Sequence, residues 1–131
     1  MHLKKPSVEI MESKELALTI AKVLYDKKAS NIDVLYVGNR TVITDYLVIA
    51  SGRTYNQVRS LMHEVEEQLE KKEIFATRKE GASEGRWCVI DYNYVMVHIF
   101  YKKDRDYYKL DSLWADKDNR IELGFESEDN N

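Results

Sequence analysis

Few side chains in this sequence could make or break bonds. A nucleophilic route would have to run through Cys88, the single cysteine. It lies in an apolar run beside Val89 and Ile90, where a thiol is inert core unless a cation or a helix N-terminus lowers its pKa. The histidines are His2, His63 and His98, and no two have the spacing of a zinc pair. His98 sits within Val97-His98-Ile99-Phe100, and the plain reading is a half-buried ring bonded to a sheet neighbour. The sharper reading is a functional polar group on an exposed sheet face. Two Asp-x-Asp pairs, Asp104/Asp106 and Asp116/Asp118, could grip a divalent cation only if both members projected from one strand. Both fall in charged sequence outside the predicted strands, as a helix cap and a solvated loop. Ser51-Gly52 is too sparse for a phosphate cradle. We therefore expect no catalytic residue, no metal and no cofactor.

The aromatic residues say more. Trp87, Tyr92, Tyr94, Tyr101, Tyr107, Tyr108 and Trp114 crowd into the last third. Arg86-Trp87 has the chemistry of a protein–protein hot spot. The alternative is that these rings only close the sheet's open side.

The elements that position them follow from periodicity. Ser13 is read as an N-cap, with Leu16, Ile20, Val23 and Leu24 at helical spacing behind it. Residues 32–37 read as a strand, and 46–50 as an inner strand, apolar on both faces. Thr54-Tyr55-Asn56-Gln57 has the form of a capping box, followed by the stripe Val58, Leu61, Met62, Val65, Leu69. Short strands are expected at 75–78, 87–92 and 95–101, the last two joined through an Asn93-Tyr94 turn. Asp104 caps a last short helix. This order predicts one α/β domain, a single mixed sheet of about five strands with helices packed on it.

The chain has 131 residues, suited to one domain, and a net charge of −3. Residues 1–12 are read as a flexible arm and 13–120 as the domain. Residues 121–131 are read as a disordered acidic tail with Glu122, Glu126, Glu128 and Asp129. Without that tail the body is close to neutral. Phosphate backbones need clustered Lys and Arg, so a protein partner is expected over direct nucleic-acid recognition. No apolar run approaches a membrane span, and the start lacks a secretory signal, which suggests the cytoplasm.

The sequence resembles the ribosomal silencing factor family (RsfS, or Iojap-like) in segments covering residues 16–116. They are Ile43-Thr44-Asp45-Tyr46-Leu47-Val48-Ile49-Ala50-Ser51-Gly52, Gln57-Val58, Glu80-Gly81, Gly85-Arg86-Trp87, Val89-Ile90-Asp91-Tyr92, Val95-Met96-Val97-His98-Ile99-Phe100, and Arg105-Asp106-Tyr107-Tyr108-Lys109-Leu110-Asp111-Ser112-Leu113-Trp114. The resemblance implies a nucleotidyltransferase-like α/β domain without catalytic residues. It also implies a translational repressor that binds the large ribosomal subunit through large-subunit ribosomal protein fourteen. Such a repressor blocks joining with the small subunit when nutrients are short, and some members form homodimers. On that basis Trp87 is the expected partner-binding anchor, with Arg86, Asp91, Tyr92 and His98 near it and Tyr46, Arg105 and Tyr108 behind them. Trp87→Glu is expected to weaken large-subunit binding with the fold intact. Asn93-Tyr94 stands where the family pattern has Gly-Asp, so a carboxylate is lost there. The alternatives are a nucleotidyl- or phosphoryl-transferase on the related fold and a homodimeric scaffold with no ribosomal role.

Overall fold

The computed structural model describes residues 6–125, with only the helical backbone for 6–11. Two helices, α1 (Pro6–Asp26) and α2 (Tyr55–Glu70), pack on one face of a five-stranded sheet. The strands are β1 (Ser30–Tyr36), β2 (Tyr46–Gly52), β3 (Arg78–Glu80), β4 (Trp87–Asp91) and β5 (Val95–Tyr101), in the order β1-β2-β5-β4-β3. β2 and β5 run parallel and every other pairing is antiparallel, so the sheet is mixed as expected. A 3-10 turn over Lys102–Asp104 leads into α3 (Arg105–Tyr108) and α4 (Leu110–Trp114).

Period-two alternation sends residues of each strand to opposite faces. Val34, Val48, Ala50, Cys88, Ile90, Val97 and Ile99 meet α1 and α2 in the main core. Leu35, Val37, Leu47, Ile49 and Phe100 form a smaller cluster on the other face, where Tyr108, Leu110 and Trp114 cover it. β2 is buried at every position because it lies under both layers. β2 is an inner strand as expected, and β5 lies in the middle of the sheet.

α2 forms as its cap and stripe predict. Thr54 Oγ1 accepts from the Gln57 amide at 3.0 Å, and Val58, Leu61, Met62, Val65 and Leu69 are buried. Gln57 Oε1 reaches back one residue further than expected, accepting from Arg53 N at 2.5 Å, while its Nε2 donates to Lys28 O at 3.3 Å. Glu66, outside that apolar stripe, is buried and paired with Lys79 at 2.6 Å. In the β4–β5 turn, Asn93 takes φ 72° and donates its N–H to Asp91 Oδ1 at 2.8 Å.

Four local readings change. α1 begins at Pro6, where the first turn needs no N–H, so Ser13 is a buried mid-helix residue rather than a cap. The third strand lies at Arg78–Glu80 rather than 75–78. The last helix breaks at Lys109, φ 57°, into α3 and α4, and the Asp104 side chain makes no capping bond. Residues 121–125 are not a loose tail. Tyr36 N donates to Asn119 O and Ile121 N to Val34 O, both at 2.9 Å, which covers the free edge of β1. Ile121, Leu123 and Phe125 then pack against the core, with Phe125 4.3 Å from Tyr25 between ring centres. The rest of the expected tail, 126–131, and residues 1–5 of the expected arm lie outside the described residues, whereas 6–12 of that arm are the start of α1 and not a flexible segment.

Candidate docking surface

The sheet face away from α1 and α2 is only half covered. α3 and α4 lie over β1, β2 and the end of β5, leaving β4, β3 and the start of β5 open. Trp87 of β4 anchors the boundary. A turn over 81–85 aims it, and Gly81 at φ 88° is required there because a Cβ would overlap the Trp87 carbonyl. The half-buried indole stacks on Phe100 at 5.0 Å and lies 4.7 Å from Tyr108. Its Nε1–H donates to His98 Nδ1 at 3.0 Å. That bond needs a lone pair on Nδ1, so the neutral ring carries its proton on Nε2. Burial pushes the imidazole down to about 4, which keeps it in this acceptor form at neutral pH.

Next to this ladder is an apolar cavity of about 330 Å³ lined in part by Leu47, Met96, His98, Leu110 and Trp114. Its rim includes Ile43, 71 % exposed. Val42 and Leu113, on flanking segments, are also exposed, and the Arg40 guanidinium ties those segments together by donating to Trp114 O at 2.8 Å and Leu113 O at 3.2 Å. Large exposed apolar side chains around a preformed hollow mark a surface built for a partner. Apart from His98, these groove residues were not among the expected site residues, although Val42-Ile43 between two turn segments is an apolar pair with no reason to be solvated.

The expected site residues divide. Trp87 and Tyr108 come together on the open face, and His98 supports Trp87 from a buried position, 7 % exposed. Asp91 shares that face, 3.6 Å from Arg78. Arg86 is exposed at the sheet end, with its guanidinium 5.5 Å from the Tyr55 ring centre. Tyr46 and Tyr92 point to the helix-covered side, 4 % and 6 % exposed, and belong to the core. The Tyr92 hydroxyl is buried with no hydrogen-bond partner. Arg105 is 7 % exposed and is a clamp instead of a contact residue. It donates to both carboxylate oxygens of Asp111 at 3.1 and 2.8 Å, to Asp33 at 3.1 Å, to Ser51 Oγ at 2.9 Å and to Asn31 O. Burial opposes ionisation of Asp111, but the Arg105 hydrogen bonds and charge hold its carboxyl below the ordinary value. This clamp fastens α3 and α4 to β1 and β2. It forms one wall of a second, charged cavity of about 320 Å³ that also includes Lys102 and Asp106.

Cys88 behaves as inert core, fully buried with its thiol pushed up to about 11 by desolvation. Asp116 Oδ1 accepts from Asp118 N at 2.7 Å, the solvated loop anticipated for that pair. Among the described residues no group of three or more His, Cys, Asp or Glu is placed to hold a metal ion. None of the helices there is long and apolar enough to cross a membrane.

The family model described as "Ribosomal silencing factor during starvation" matches residues 10–131. The chain belongs to the ribosomal silencing factor family. It is 34 % identical to "Ribosomal silencing factor RsfS" of Halalkalibacterium halodurans over 81 % of this chain and 91 % of that one. It is 33 % identical to the protein of the same name from Bacillus subtilis, over 81 % and 90 %. Among solved structures, a crystal structure of a Bacillus halodurans protein superposes with a TM-score of 0.70 at 32 % identity, covering 86 % of this chain and 99 % of that one. One from Chromobacterium violaceum gives 0.73 at 25 %, over 92 % and 97 %. Other relatives carry the names "Protein Iojap-related, mitochondrial" and "Protein Iojap, chloroplastic", both from Arabidopsis thaliana.

Proposed function

We propose that this ribosomal silencing factor binds the large ribosomal subunit with the open face of its sheet, through large-subunit ribosomal protein fourteen. There it occupies space the small subunit needs and lowers translation when nutrients are short. Family membership supports the ribosomal setting. The observation that carries the surface is the half-covered face, with its apolar groove beside the Trp87–His98 ladder and exposed Ile43 and Leu113 around it. Steric exclusion needs no chemistry, only a tight and correctly placed complex. A standard interface of about 800 Å² per partner is within reach of a domain this size. The ladder is held before binding, so little side-chain entropy is lost on docking. No catalytic step is part of this reading, and the cytoplasm is the compartment it assumes. A homodimer built on the same groove would compete with the ribosome for it.

Trp87→Glu is a poor test, because it breaks the His98 bond and the ring stack that also support the fold. Ile43→Glu is cleaner, since the Ile43 side chain is mostly in solvent. The wild-type chain is expected to pellet with isolated large subunits and not with small ones. Ile43→Glu should weaken that association at least about tenfold with an unchanged melting temperature. No pelleting of the wild type, or equal pelleting of the variant, rejects the assigned surface.

A further inference from the structure

The near-neutral charge of the body conceals a strongly uneven distribution. β2 and β5 are parallel and in register at their ends, Gly52 opposite Tyr101, so the residues that follow each strand leave the sheet side by side. These are Arg53 on one strand and Lys102-Lys103 on the other, all exposed. β4 runs the opposite way and therefore begins at this same end, where Tyr101 N donates to Arg86 O at 2.8 Å. Arg59 of α2 reaches over to the neighbouring turn, donating to Glu84 O at 3.0 Å. Lys28 joins them, because its carbonyl accepts from Gln57 at the start of α2. Six cations thus line one end of a molecule whose net charge is −3, against Glu84, Asp104 and Asp106 there, while Asp33 and Asp111 in the cavity beside Lys102 are taken up by Arg105 and Arg120. Asp104 lies 3.9 Å from Arg86 and offsets only part of that charge.

Rings are interleaved with these cations. Tyr55 packs edge-on against Tyr101 at 4.5 Å, 37 % exposed, with the Arg86 guanidinium over it. Tyr107 is 80 % exposed, its edge against Tyr108. Cations spaced along a rim suit a phosphate backbone, and exposed rings beside arginine suit stacked bases. An acidic protein segment would answer the charge but leaves the exposure of Tyr107 without a purpose. We infer that this end of the sheet, around Arg53, Arg86 and Lys102-Lys103, is a contact surface for RNA, separate from the apolar groove. It reverses the expectation of little direct nucleic-acid contact, which came from averaging charge over the body.

The test is fluorescence anisotropy of the full chain with a labelled single-stranded RNA of about 20 nucleotides and mixed sequence. Binding is expected, about 50-fold weaker at 200 mM than at 50 mM KCl, as neutralisation of about four phosphates of a single strand requires. The triple variant R53E/R86E/K103E should lose at least about tenfold in affinity with an unchanged melting temperature. Lys117→Glu, beside the Asp116–Arg40 pair at the opposite end of the sheet, should bind like the wild type. Ile43→Glu should also retain RNA binding, so failure of the groove and failure of this surface give different results. No RNA binding, binding indifferent to salt or to the triple variant, or equal competition by polyglutamate would overturn the inference.

Discussion

On β5, Val97 and Ile99 face α1 and α2 and are fully buried, while Met96 and His98 face the half-covered side. The same alternation runs through β4, where Cys88 and Ile90 face the helices and Trp87, Val89 and Asp91 face outward. One face is sealed by two long helices and serves stability. The other is sealed only in part by two short helices that the Arg105 clamp holds down, and it offers a preformed apolar hollow. A single strand thus answers to two demands with alternate residues, so the two can be disturbed separately.

The largest expected effect lies on the sealed face. Leu69→Ala should cost about 3 kcal/mol, the usual loss for a fully buried leucine, with no specific effect on large-subunit affinity beyond the unfolded fraction. Met96→Ala should do the reverse, costing less than about 1 kcal/mol in stability while weakening docking several-fold. Paired denaturation and pelleting experiments check this. If both variants lost stability and affinity in proportion, the division of labour between the faces would fail.

A comparable effect comes from acid. Burial holds the folded-state pKa of His98 near 4, below its ordinary 6.5. The unfolded chain therefore binds more protons across that interval, and stability rises with pH through it. His98 makes its full contribution above about pH 6.5 and loses it as pH falls toward 4, at most about 3 kcal/mol. Protonation also removes the Nδ1 lone pair that accepts from Trp87. Asp111, held below the ordinary carboxylate value, weakens only at lower pH. His98→Gln, which keeps an acceptor and does not titrate, should flatten the slope of unfolding free energy between pH 6.5 and 4. An unchanged slope would show that this ring does not report on the open face.

The smallest effect returns to the sealed face. Tyr92→Phe removes a buried hydroxyl that has no hydrogen-bond partner, so it should stabilise by about 1 kcal/mol. Calorimetry should show a melting temperature about 3–5 °C higher, with docking unchanged. A loss of docking would place Tyr92 on the partner surface after all.

Much of this division could be read from residue order. The capping residues and the spacing of Val58 to Leu69 specified α2, and Asn93 specified the hairpin turn. Parity along β4 also carried information that the aromatic grouping overrode. Once Cys88 and Ile90 are core, Tyr92 must face inward with them and Trp87 outward with Asp91. The alternation Ile121, Leu123, Phe125 was likewise a packing signal, masked by the acidic residues around it. No local pattern could foretell the Arg105 clamp, because its partners Asp33 and Ser51 come from strands far away in sequence. The groove was equally hidden, since it exists only where α4 and the 38–45 loop meet over β2 and β5.

Titrating the chain against a fixed amount of isolated large subunits, then adding small subunits and separating the products on sucrose gradients, puts the steric account to its most direct test. Inhibition of joining should rise linearly and saturate at one chain per large subunit, and removing the chain with high salt should restore pairing. Silencing of many large subunits by each chain, or inhibition that persists after the chain is gone, would mean lasting chemistry on the ribosome and would contradict it.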